Sequence, residues 1–131
     1  MGNPPGIREL VPQDELLRAL RNAKNRDDLP SAFMLRDNEK ATGLSVSFDQ
    51  TAAECQAGFT CTYGVASLTV QTVADAATAT ELQLQVLPDE PHHANITGVP
   101  HKEDDPEKAE RLASFLAGRS TLVSTTKVDN R

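Results

Sequence analysis

Leu44, Val46 and Phe48 alternate with Ser45 and Ser47, and the same two-residue period returns at residues 64–73 and 81–87. In residues 64–73, Ala66, Leu68 and Val70 share one parity and Val65, Ser67 and Thr69 the other; in 81–87, Leu82, Leu84 and Val86 alternate with Gln83 and Gln85. A side chain returns to the same side every second residue only in an extended backbone, so these stretches commit the chain to a sheet. Long alternating strands suit an antiparallel or mixed sheet with one face covered. A doubly wound parallel sheet needs crossover helices between its middle strands, and no such pattern stands there.

Helical spacing is read at two places. Leu16, Leu17, Leu20 and Ala23 form a stripe over residues 14–24, and Ala109, Leu112, Ala113 and Leu116 form another over 105–117. Asp105 is the expected N-cap of the second, Pro106 its first residue and Gly118 its C′ residue. Thr51 or Asp49 can cap a brief helix at 52–55 that ends at Gly58. Residues 32–35 and 121–123 read as strands, 75–80 as a connection, and 94–97 as a short edge strand. The stretch 88–105, punctuated by Pro88, Pro91, Gly98 and Pro100, reads as a stiff loop. The expectation is an α+β, two-layer domain, its antiparallel or mixed sheet carrying two to three helices on one face.

At 131 residues there is room for one domain. Residues 1–12, with Pro4, Pro5 and Pro12, are expected to be a flexible N-terminal arm, 13–126 the domain and 127–131 a polar tail. The folded chain should expose roughly 6,700 Å², enough burial for a core without disulfides. No apolar run nears membrane-spanning length and no leader pattern opens the chain, so the expected location is the cytoplasm.

The net charge is −6, and from Ala41 to His101 there is no Lys or Arg, while Asp49, Glu54, Asp75, Glu81, Asp89 and Glu90 are acidic. Nucleic-acid affinity comes from neutralised phosphates, so a nucleic-acid role is disfavoured. Aromatic residues are too few for a base-stacking platform. Cys55 and Cys61 are spaced too widely for a zinc knuckle and read as free thiols.

His92, His93 and His101 fall within ten residues, flanked by Asp89, Glu90, Glu103, Asp104 and Asp105. Three uses compete. As metal ligands, His92, His93 and His101 follow no spacing that fixes a tetrahedron, so no metal or other cofactor is expected. As a catalytic pair, His93 is the general acid or base and Asn95, two residues on, shares its strand face and orients substrate or an oxyanion. Cys61, Ser45, Ser67 or Thr97 must then supply the nucleophile of a hydrolase or transferase; no G-x-S-x-G elbow or P-loop is present. As tethers, the histidines bond backbone groups and hold the loop to the sheet. This bland use is preferred.

Arg36, after an apolar segment, is a candidate for an anionic ligand or, more simply, for one of the many carboxylates. Met34 and Phe33 read as core. The order Ala32-Phe33, Gly43-Leu44-Ser45-Val46, Gly64-Val65-Ala66 and His93-Ala94-Asn95-Ile96-Thr97-Gly98 resembles small bacterial domains of unassigned function and implies no catalytic residue. The expected role is therefore a small soluble accessory or partner-binding module, a monomer or homodimer without chemistry of its own. Its contact site is expected on residues 88–105, with His92, His93, Asn95, Thr97 and His101 touching a protein partner.

Overall fold

In the computed structural model, which describes residues 4–131, the two-residue periods become strands of one sheet. The elements in chain order are β1 (Glu15–Ala19), α1 (Ala23–Asp27), β2 (Leu44–Ser47), α2 (Ala52–Ala57), β3 (Cys61–Thr62), β4 (Val65–Thr69) and α3 (Val70–Thr80). Then follow β5 (Gln85–Glu90), β6 (His93–Thr97), α4 (Pro106–Arg119), β7 (Thr121–Ser124) and β8 (Val128–Asp129). Two short 3₁₀ turns, Leu29–Phe33 and Asp37–Glu39, lie between α1 and β2. The six-stranded sheet has the order β5-β6-β2-β1-β4-β7 with every neighbouring pair antiparallel, and β3 pairs with β8 in a separate ribbon.

Leu16, Leu44, Val46, Leu68 and Ile96 project from one sheet face against Phe33, Val73 and Ala76, and Leu112, Ala113 and Leu116 of α4. This is the two-layer α+β arrangement that the alternation implied, antiparallel throughout. On the opposite face Cys55 of α2 packs with Leu17, Ala19 and Val65, flanked by Ala52 and Phe59. The exposed area is 7130 Å², near the roughly 6,700 Å² that scales with the chain's mass.

Several local readings are corrected. Residues 14–24 are a strand and a short helix, because Arg18, fully buried, occupies a core-facing position between Leu16 and Leu20 and disguises the period. Both faces of β1 are covered, one by the main core through Leu16 and Leu20 and the other by α2 through Leu17 and Ala19, so its sequence loses the strand period and mimics a helical stripe. Residues 32–35 are no strand; Pro30 opens a 3₁₀ turn that carries Phe33 into the core. The strand from Val65 stops at Thr69, whose hydroxyl caps α3 by accepting from the Thr72 N–H, and the Ala-rich stretch expected as a connection is the body of that helix. Gly118 lies inside α4, which ends at Arg119 with Ser120 as its C-cap.

The stretch 88–105 begins as a hairpin: β5 and β6 are joined by Pro91 and His92 alone, with His92 at φ 71°. β6 is an inner strand between β5 and β2, so the edge placement of 94–97 is also corrected. Within the expected N-terminal arm, residues 1–3 lie outside the described residues. Arg8 pairs with both Asp14 and Asp49, and Ile7 and Leu10 pack on the core. In the expected tail, Val128–Asp129 adds a strand to Cys61–Thr62, and the Asn130 side-chain amide donates to the carbonyls of Gln56 and Phe59. No helix among the described residues is long and apolar enough to cross a membrane.

Candidate functional site

The polar parity of β2 and β6 faces away from the helical layer. The register sets Ser45 opposite Asn95 and Ser47 opposite His93. On the far side of β6, the ladder runs Pro88 to Ala94 and Glu90 to His93, so Asp89 is an extra, bulged residue. A bulge re-aims its side chain, and here it swings the Asp89 carboxylate over β6.

The result is a chain of hydrogen bonds. His93 Nδ1 lies 2.5 Å from Asp89 Oδ1, and His93 Nε2 lies 2.6 Å from Ser45 Oγ. An ionised carboxylate only accepts, so Nδ1 carries the proton and donates to Asp89. Nε2 then presents its lone pair and accepts the Ser45 hydroxyl proton. Asn95 Nδ2 donates to the other Asp89 oxygen at 3.0 Å and fixes the carboxylate plane. Each link is partly solvent-exposed, His93 at 33% and Asp89 at 46% of the side chain.

Ser45 is held from behind by the core. Its N–H donates to Glu39 Oε2 at 2.9 Å and its carbonyl accepts from Arg18 Nη1 at 2.8 Å. Arg18 and Glu39 themselves form a buried two-point pair at 2.6 and 3.0 Å. Burial alone would push the Glu39 carboxyl up, but the bonds and charge of Arg18 and the N–H groups of Arg36 and Ser45 outweigh it and hold it low. On the Ser47 side, the Cys55 thiol donates to Ser47 Oγ at 3.8 Å, and its burial raises the thiol's pKa.

The remaining residues named from the sequence go elsewhere. His92 Nδ1 and the Phe48 carbonyl lie 3.2 Å apart, and the Phe48 N–H donates to the His92 carbonyl, so His92 ties the hairpin end to β2. Thr97 lies at the other end of β6, where its hydroxyl donates to the Gln85 carbonyl. His101 is buried, accepts the Glu103 N–H at Nδ1, and so carries its proton on Nε2, 3.2 Å from Asp37 Oδ1.

Asp37, His101 and Glu103 bring three ligand-type atoms within 4.8 Å of one another, and among the described residues no such group includes His92 or His93. Neither His101 nitrogen offers a free lone pair: one accepts from backbone and the other carries the proton. That arrangement is a tether for the approach to α4, and it disfavours a metal there.

The sequence named His93, Asn95 and, as one of four nucleophiles, Ser45. Asp89 was counted only as a flanking acid. The missing signal was the hairpin: with Pro91-His92 recognised as a two-residue turn, Asp89 falls beside His93.

Compared with known proteins, the chain matches no family model, no curated protein and no solved structure.

Proposed function

We propose that the chain is a hydrolase or acyl transferase in which Ser45 is the nucleophile, His93 the general base and Asp89 the group that orients the imidazole. The observation that carries this reading is the pair of short bonds meeting on the two nitrogens of His93. A nucleophile bonded to a base that is itself oriented by a third group is the geometric signature of covalent catalysis. In the first step His93 Nε2 takes the Ser45 proton as Oγ bonds to an acyl carbon. The imidazolium, held by Asp89, then returns the proton to the leaving group, and water or a second acceptor releases the acyl group from Ser45.

The Ser45 N–H is taken by Glu39 and does not serve an oxyanion. Side-chain donors supply that role, and Asn95, directly across the ladder, has a second amide proton beyond the one given to Asp89. The centre lies on an open face beside the acidic Asp89 and Glu90, which suits neutral or cationic esters with good leaving groups.

The test is labelling with an uncharged fluorophosphonate, read by peptide mass spectrometry, together with hydrolysis of p-nitrophenyl acetate. Labelling on Ser45 that Ser45→Ala and His93→Gln abolish, and that Asp89→Asn slows by about 10²–10⁴-fold, is the expected result. Folded protein that neither labels nor turns over discards the reading.

A second reading, a partner-binding module, is favoured by Leu87, a large apolar residue 45% exposed on β5, the same strand as Asp89. With no Lys or Arg between Ala41 and His101, the occupant fitting this surface is a basic protein segment. A Leu87→Asp variant that labels normally but loses such a partner supports it.

A further inference from the structure

The connection between α1 and β2 gathers cations around one carboxylate that is already fully used. Glu39 Oε1 accepts from Arg18 and from the Arg36 N–H, and Oε2 accepts from Arg18 and from the Ser45 N–H. Four donors fill the lone-pair sites of a carboxylate. The Arg36 guanidinium stands 3.7 Å from Oε2, and among the described residues its one hydrogen bond is to the Ala19 carbonyl at 3.1 Å. Its side chain is 28% exposed. Burial, together with the charges of Arg18 and Arg21, pushes Arg36 down to about 10 against the raising effect of the Glu39 charge, which Arg36 shares with Arg18.

Arg36 lines a cavity of about 950 Å³ between residues 21–38 and α4, together with Arg21, Lys24 and Lys102. Neither lysine has an ion-pair partner among the described residues. Asp28, Asp37 and Glu110 also line the cavity, but Asp37 is engaged by His101 and none of the three bonds to Arg36. In this acidic chain the hollow is thus lined by four cations against three carboxylates.

We propose that this cavity binds a small phosphorylated molecule, with Arg36 as the anchoring guanidinium and Lys24 and Lys102 as the flanking cations. A carboxylate offers two coplanar oxygens and one charge, which one guanidinium satisfies. A phosphate monoester offers three oxygens and up to two charges, which suit donors arriving from several directions. The volume exceeds what an inorganic ion needs and falls in the range of small-molecule sites. Half-buried Met34 supplies apolar surface for the organic part. The inference does not rest on the Ser45 centre.

The experiment is a titration of the full chain with inorganic phosphate, pyrophosphate and, as a carboxylate control, citrate. Amide and arginine Nε–H resonances are followed by NMR at constant ionic strength. Saturable shifts with phosphate or pyrophosphate around Asn25, Ser31, Arg36 and Lys102 are expected, with Kd weakened by about tenfold or more in Arg36→Gln and in Lys102→Gln. Lys102 and Lys24 are exposed, so Lys102→Gln and Lys24→Gln decide the matter if Arg36→Gln fails to fold. Absence of saturable shifts, equal binding by wild type and variants, or a response to citrate alone overturns the proposal.

Discussion

Replacing Arg18 by Met tests whether the buried ion pair behind Ser45 holds the sheet together. Arg18 is 1% exposed and spends its guanidinium on the Ala32 carbonyl at 2.7 Å, the Ser45 carbonyl at 2.8 Å and both oxygens of Glu39. Methionine fills much of the volume but leaves Glu39 charged, desolvated and bonded only to two backbone N–H groups. Removing one partner of a buried pair costs about 3–5 kcal/mol. For 131 residues the unfolding entropy is about 0.28 kcal/mol/K, so the melting temperature should fall by about 11–18 °C.

The pH dependence carries a sign. In the wild type the Glu39 carboxyl is held below its ordinary value, so it contributes stability above the ordinary glutamate range, lost as pH falls through its lower folded value. In Arg18→Met the raising effect of burial is no longer outweighed. The deficit is therefore largest near neutrality and narrows in acid. Thermal melts by circular dichroism at several pH values read both effects. The double variant Arg18→Met/Glu39→Leu recovers part of the loss but not all, because the Arg36 and Ser45 N–H groups lose their acceptor at about 1 kcal/mol each. A single variant within about 1 kcal/mol of wild type at neutral pH would refute the reasoning.

Further outcomes are expected. Gly98→Ala should cost more than about 1 kcal/mol in urea melts, since Gly98 has φ +87° and an added Cβ would run into the Gln83 carbonyl oxygen; unchanged stability means that this end of the hairpin yields. Cys61, half-buried, should alkylate with iodoacetamide well before Cys55, whose thiol is buried and raised in pKa; equal rates in the native state count against the packing of α2. Arg8 bonds hold Asp14 and Asp49 below the ordinary aspartate range, so Arg8→Gln should lower the melting temperature near neutral pH and converge on wild type as acid protonates both; parallel curves exclude the linkage.

The layer arrangement was legible because Leu44, Val46 and Phe48 carry their period without interruption. β1 was illegible for a physical reason. Its core-facing run includes an arginine whose partners, Glu39 and the Ala32 and Ser45 carbonyls, lie 14 to 27 residues away, and sequence patterns do not register partners at that distance. Thr69 misled in the other direction: a good strand residue whose hydroxyl, once at a helix start, ends the strand. The proximity of the three histidines in sequence suggested one common use. The fold separates them, giving His92 and His101 to tethering bonds and leaving His93 on the open face. Asp89 was hidden by prolines that read as a loop, although Pro88 occupies an edge strand, where a missing donor is tolerated.

Asp89, His93 and Asn95 all ride on one hairpin closed by two residues, whereas Ser45 joins them only across the seam between β2 and β6. Asp89, His93 and Asn95 thus lie within seven positions of sequence, whereas Ser45, the nucleophile proposed above, meets His93 across 48 residues and depends on long-range strand pairing. The seam admits no partial success. A slip of one residue would turn Ser45 toward the helices and set Leu44 or Val46 beside the imidazole. Under the proposed function, reactivity at Ser45 would then report on strand register in any variant that keeps Ser45, His93 and Asp89.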